Sequence, residues 1–239
     1  MYTFTPIGTV ESCYKENFAI PRQPGLVKSA WGKIKLKKDF RLEQSLIGLE
    51  GFSHLWIVFV FHYQTNKDWK PSVRPPRLGG AKKIGVLASR SPHRPNPIGL
   101  SVVKLKKIEK TKFETIIHIE GHDFLEGAPV LDIKPYIAYS DALKKSSSGW
   151  ANAKIKKTKV RFLPSAIKSL KNLVLDSEKL KYKKLITELV SIDPRPAFQK
   201  KKSKMDATYA FRLEGLDIHW RPDHKYFTVT EIKKYEKIK

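Results

Sequence analysis

Between residues 3 and 133 the chain never sustains one hydrophobic period for long. Short stretches of β-forming residues at 3–10, 32–36, 55–61, 84–88, 100–108, 115–119 and 130–133 are separated by Gly and Pro. Several alternate apolar with polar, as half-buried strands do, while 55–61 is wholly apolar. Only 41–49 has room for a short helix. Many short strands with few helices predict a β-barrel or sandwich. From residue 164 the pattern changes. Pro164 suits a first helical turn, and Ile167, Leu170, Leu173, Leu175, Leu180, Leu185, Ile186 and Leu189 recur at helical spacing. That predicts one or two helices ending near Ile192. After the break at Asp193-Pro-Arg-Pro196, residues 208–213, 216–221 and 226–232 read as a small antiparallel sheet. The expected fold is therefore mainly β: a barrel over 1–143, a linker at 144–153, and an α+β part over 154–239. The polar run Lys144-Lys-Ser-Ser-Ser-Gly149 marks the linker.

Charge narrows the class of partner. The chain has 239 residues with 47 Lys+Arg against 23 Asp+Glu, a formal net charge of +24. Such a balance favours nucleic acid, an anionic membrane or an acidic protein. The excess is uneven: residues 1–143 carry 22 basic and 13 acidic side chains, residues 144–239 carry 25 and 10. Polyanion binding is expected from the tail, through Arg195, Lys200, Lys201 and Lys202 among others. The single Cys13 excludes an intrachain disulfide and a Cys₂ or Cys₄ zinc site. His118 and His122 are four apart but read as strand and its exit, so no metal site is expected. No basic region precedes an apolar core at the N-terminus, and the longest apolar run is too short to cross a bilayer. A cytoplasmic protein with no membrane partner is expected.

Motifs of the common nucleotide folds are missing: no G-x-G-x-x-G after a strand, no P-loop, no G-x-S-x-G, no H-E-x-x-H. The unusual segments are instead two Pro- and Arg-rich loops. Arg74-Pro-Pro-Arg77-Leu-Gly-Gly80 and Arg90-Ser-Pro-His-Arg94-Pro-Asn96-Pro-Ile-Gly99 set guanidinium groups on stiff backbone. Such groups bind phosphate or carboxylate bidentately. A third segment, Gly121-His-Asp123-Phe124-Leu125-Glu126-Gly127, joins two carboxylates and an aromatic in one turn. It suits an amino group, a ribose hydroxyl pair or a sulfonium ligand, and equally an ordinary hairpin.

Together with Pro21-Arg22-Gln23-Pro24-Gly25, Phe52-Ser-His-Leu-Trp56 and Asp132-Ile-Lys-Pro-Tyr136, these strings closely resemble the TsaA-like family. The similarity spans about residues 5–143, and Asp193-Pro-Arg-Pro-Ala-Phe198 resembles the bacterial C-terminal extension. The resemblance implies a methyltransferase on a small non-Rossmann β-barrel, using S-adenosylmethionine to methylate threonylcarbamoyl-adenosine beside the anticodon of threonine tRNA. It implies a homodimer with the cofactor near the subunit interface. Carried onto matching positions, cofactor contacts fall on Pro21, Arg22, Gln23, His62, Tyr63, Arg90, Leu100, Asp123, Phe124, Leu125 and Glu126. The family commonly has Gln after the His, whereas this chain has Tyr63 and then Gln64.

Under that reading Arg94 or Arg77 suits the carboxylate of the modified base, with Arg74 beside them on the substrate side. Asn96, between Pro95 and Pro97, is either a turn cap or the acceptor for the N6 proton. Basic tail residues would grip the anticodon stem. Two other readings remain: an RNA-binding barrel without catalysis, and a family methyltransferase with a substrate other than tRNA.

Overall fold

The computed structural model describes residues 2–38, 42–65, 68–195, 199–200, 207–223 and 225–235. Its strands are β1 (Gly8–Ser12), β2 (Trp31–Leu36), β3 (His54–Val60), β4 (Ser72–Val73), β5 (Ile84–Gly85), β6 (Ile98–Lys110), β7 (Thr115–Glu120) and β8 (Pro129–Pro135). Four further strands follow: β9 (Lys159–Phe162), β10 (Tyr209–Leu213), β11 (Leu216–Pro222) and β12 (Tyr226–Lys234). The helices are α1 (Leu42–Ser45), α2 (Ala138–Asp141), α3 (Pro164–Leu173) and α4 (Lys179–Ser191).

Six strands close an antiparallel barrel in the order β1-β2-β7-β6-β3-β8. Alternation sets its inside. In β3, Leu55, Ile57 and Phe59 are buried, and they meet Val10, Ile34, Val103, Ile117, Ile119 and Val130 in the barrel core. The apolar residues of β3's other face are also partly covered. Trp56 packs its ring 6.0 Å from Tyr136 and donates its Nε1–H to Asp141 Oδ2 at 2.9 Å, so α2 lies over this face. That explains a strand apolar on both faces within a single-layer barrel.

The expected strands differ from the observed ones at their edges. The segment 3–10 pairs only from Gly8, and of 84–88 only Ile84–Gly85 is strand, with residues 86–88 a 3-10 turn. The helix expected at 41–49 shrinks to Leu42–Ser45. In the second part there are two helices, α3 opening with Pro164 in its first turn. They are separate because Leu175 and Leu180 are exposed and no continuous apolar stripe joins them. The second sheet has the order β10-β11-β12-β9, and β9 runs parallel to β12, so the sheet is mixed rather than antiparallel. With two of its four residues charged, Lys-Val-Arg-Phe gives too short an alternation to announce β9.

A second apolar cluster fills the space between α4 and this sheet, around Leu185, Ile186, Leu189, Phe211, Ile218, Trp220 and Val229. Cys13, Tyr14, Ala19, Val27 and Ala30, from the long connection between β1 and β2, belong to the same cluster. Polar contacts fasten that connection further. Ser29 donates its N–H and its hydroxyl to Glu188 Oε2, both at 2.9 Å, and Lys15 lies 2.9 Å from Glu126 and 3.3 Å from Glu214. The residue 13–30 connection thus joins the barrel to the core of the C-terminal part.

The segment read as a linker is docked. Trp150 Nε1–H donates to Ala88 O at 2.8 Å, the Arg77 guanidinium donates to Ala153 O, and Thr158 N–H donates to Ser191 O at 2.9 Å. Residues 150–158 form a strap from the barrel loops to the end of α4.

Candidate active site

Antiparallel closure puts three long connections at one rim. The end of β1, the start of β2, the end of β3, the start of β6, the end of β7 and the start of β8 all lie there, as the strand registers require. The connections 13–30, 61–97 and 121–128 therefore emerge side by side. They line a cleft of about 1780 Å³, which the strap, residues 192–194 and Lys200 also line.

Backbone bonds hold these loops together. Gly25 N–H donates to Gly121 O and Gly121 N–H to Ala30 O, each at 2.7 Å. Both glycines have positive φ, 76° and 75°, and a side chain at Gly121 would approach Gly25. This crossing sets residues 21–23 beside Asp123. Phe61 N–H donates to Pro97 O at 2.8 Å, joining the end of β3 to the Arg90–Pro97 loop. Gly99 is needed where β6 starts, because a Cβ there would stand 2.2 Å from Cζ of Phe59.

Of the residues expected to hold a cofactor, Pro21, Arg22, Gln23, His62, Tyr63, Arg90, Leu100, Asp123 and Leu125 all line this cleft. Arg90 Nη1–H donates to Gln23 Oε1 at 2.7 Å, pairing residues from two loops. Ser101 Oγ–H donates to Asp123 Oδ1 at 2.7 Å. Burial raises the Asp123 carboxyl to about 6, while the Ser101 hydroxyl and the positive charge of Arg90 pull it down. Ser101 carried no sequence signal beyond its place in an alternating strand.

Two expected residues face elsewhere. Phe124 is fully buried, its ring 4.7 Å from Phe59, and forms the floor of the barrel core. Glu126 accepts the Ser12 N–H at 2.7 Å and pairs with Lys15, so it tethers β1 and is not part of the cleft wall. Neighbouring His122 is buried and neutral, burial lowering it to about 4. Its Nδ1 accepts the Phe124 N–H at 3.2 Å, which leaves Nε2 to carry the proton to Trp31 O at 2.9 Å. His118 turns instead to Glu109, 3.0 Å away, so the two histidines share no ligand.

On the substrate side, Arg74, Arg77, Arg94 and Lys200 line the cleft. Arg77 is committed in part to the strap through Ala153 O. Asn96 is exposed and stands outside the wall. Arg195 is a correction. Its guanidinium is 7% exposed, bonded to both Asp193 oxygens at 2.8 and 3.0 Å, and lies 4.9 Å from the Tyr209 ring centre. Trp220 and Phe227 complete its surroundings, so Arg195 packs the C-terminal core and is not presented to a polyanion. Lys201 and Lys202 lie outside the described residues. Among the described residues, ten Lys or Arg side chains line the cleft against two carboxylates, Asp123 and Asp193. The cleft is a focused positive surface with the half-buried Asp123 carboxyl in its wall.

Comparison with known proteins accounts for this arrangement. The family model described as tRNA-methyltransferase O N-terminal domain matches residues 9–142, and that of the TrmO C-terminal domain matches residues 155–235. The chain is 42% identical over 233 residues to the tRNA (adenine(37)-N6)-methyltransferase of Escherichia coli (strain K12), covering 97% of this chain and 98% of that one. It is 40% identical over 227 residues to the putative S-adenosylmethionine-dependent methyltransferase RcsF of Pseudomonas aeruginosa, covering 93% and 94%. A crystal structure of TrmO from Pseudomonas aeruginosa matches with a TM-score of 0.79 at 33% identity, over 98% of each chain. With a closed barrel, both family domains in order and likeness along nearly its whole length, the chain belongs to the TrmO family of tRNA methyltransferases.

Proposed function

We propose that the protein methylates the exocyclic N6 of threonylcarbamoyl-adenosine beside the anticodon of threonine tRNA, with S-adenosylmethionine as methyl donor. The observation that carries this reading is the gathering of residues 21–23, 62–63, 90, 100, 123 and 125 on one cleft wall, in a chain 42% identical over nearly its full length to a tRNA (adenine(37)-N6)-methyltransferase.

The wall fits the cofactor by its chemistry. Asp123 offers a carboxylate to a cationic group or a ribose hydroxyl pair, Arg90 and Arg22 offer guanidinium groups to a carboxylate, and Leu100, Leu125 and Pro21 offer apolar surface to a purine. When bound, S-adenosylmethionine supplies an electrophilic methyl group on a sulfonium. The chain's own task is alignment, because in-line methyl displacement gains most from fixed geometry. The Arg90–Gln23 bond and the Ser101–Asp123 bond fix side chains from three loops and β6 before any ligand arrives.

Arg94, half-buried in the wall, clamps the carboxylate of the modified base. The reacting nitrogen belongs to a urea, whose proton is more acidic than that of adenine, so the acceptor need not be strongly basic. Asn96 serves as that acceptor only if bound substrate draws its loop inward. The positive cleft favours an RNA substrate over a small molecule, and the intact cofactor wall favours catalysis over RNA binding alone. The protein is proposed to act in the cytoplasm as a homodimer, on its family likeness; no helix among the described residues is long and apolar enough to cross a membrane.

The test is to incubate the protein and methyl-labelled cofactor with total tRNA from cells with and without the threonylcarbamoyl modification. Label is expected only in the modified pool. Equal labelling of both pools, or of neither, refutes the reading.

A further inference from the structure

The strap carries charge that no motif explains. Lys154 and Lys156 sit between its anchors at Ala88, Ala153 and Ser191, and both line the cleft. Both are exposed, and neither has a carboxylate partner among the described residues. Arg74 and Arg94 of the loops line the same cleft. Unpaired cations held on fixed backbone around one cleft repel one another unless a polyanion lies among them.

We propose that the strap is the phosphate grip of the enzyme: Lys154 and Lys156 hold the backbone phosphates that flank the reacting base, in the same cleft as Arg94. This rests on the tRNA methyltransferase reading and adds a location to it. Because the two lysines share the cleft with Asp123 and Arg90, they grip the anticodon loop itself and not a distant stem. The anchoring bonds from Arg77 and Trp150 are positioning contacts. They fix the strap against the same loops that hold the cofactor wall, so the grip and the methyl donor share one frame.

The experiment compares the full-length protein with K154A/K156A and with K110A/K112A. The second pair removes the same charge at the opposite rim, where β6 turns into β7. Binding of threonine tRNA is measured by fluorescence anisotropy from 0.05 to 0.3 M salt, and binding of S-adenosylmethionine by calorimetry. Two lost contacts to single-stranded backbone should lower the slope of log K against log salt by about 1.4 and weaken binding at 0.15 M roughly tenfold. Cofactor affinity should not change, and K110A/K112A should bind tRNA as the parent does.

Unchanged tRNA affinity and slope in K154A/K156A would overturn the grip and leave the methyltransferase reading intact. Equal losses in both double variants would also overturn it, since net charge alone would then be at work. A parent protein that binds cofactor but neither binds nor methylates tRNA would overturn that reading and the grip with it.

Discussion

Replacing Asp123 with Asn should stabilise the free protein above neutral pH while weakening cofactor binding. The carboxyl is held at about 6 against an ordinary 3.8, chiefly because its charge is taken from water. At 1.36 kcal/mol per pKa unit, that shift is about 3 kcal/mol of cost at pH values above 6. The sign follows from the direction of the shift. The folded state holds the proton more tightly, so it is favoured at low pH, and that advantage is lost as pH rises from 3.8 through 6. Asn is neutral, as the protonated acid is, and keeps an oxygen for the Ser101 hydroxyl, whose pull on the charged form is already contained in the shift. The net gain is about 3 kcal/mol, or roughly 6–12 °C in Tm for a chain of this size. At pH 4 most of the gain should be lost, because the folded carboxyl is then protonated and the unfolded one is near its own midpoint. Scanning calorimetry of the two proteins at pH 8 and pH 4 reads the difference. Titration with S-adenosylmethionine at pH 8 should show affinity at least about tenfold weaker, as loss of a charged hydrogen-bonding partner implies. A Tm shift equal at both pH values, or a lower Tm for D123N at pH 8, would refute the reasoning.

Three further outcomes are expected. R94A should fold with an unchanged Tm yet methylate modified tRNA about a hundredfold more slowly, since it loses a charge-assisted pair; activity within threefold of the parent would remove the clamp. G99A should lose about 1–3 kcal/mol on denaturant unfolding, because the new Cβ falls inside the Phe59 ring and the wall of the barrel must shift; a stability unchanged within error would contradict that packing. R195A should destabilise the protein by about 3–5 kcal/mol, leaving Asp193 without its main partner, whereas K200A should leave stability nearly unchanged; tRNA binding lost at full stability would return Arg195 to the substrate surface.

Which parts of this architecture a linear reading can find follows from the range of the interactions. The barrel strands were legible because inside-outside alternation and Gly or Pro punctuation are local. Pro164 likewise announces α3 by a local rule. Closure of the barrel is not local, and neither is the path of residues 13–30: Cys13 and Val27 look like any small apolar residues until Leu189 and Trp220 pack on them. The loop motifs pointed to residues that line one cleft because Pro, Gly and Arg leave a compositional mark. They did not tell Asp123 from Glu126, three residues apart, because the turn from Gly121 to Gly127 decides which carboxylate faces the cleft. Arg195 shows the opposite difficulty. A guanidinium in a basic tail reads as a polyanion ligand until aromatic rings from β10, β11 and β12 enclose it.

The path of residues 13–30 also has a consequence for biosynthesis. Their apolar partners Phe211, Trp220 and Val229 lie near the end of the chain. On the ribosome, the barrel strands are all made before those partners emerge, so a nascent barrel must wait with Tyr14 and Val27 uncovered. The same connection carries Pro21, Arg22 and Gln23. This part of the cleft wall is thus the last part of the barrel to be finished, and a truncated translation product would have a barrel sequence whose residue 13–30 connection lacks its packing partners.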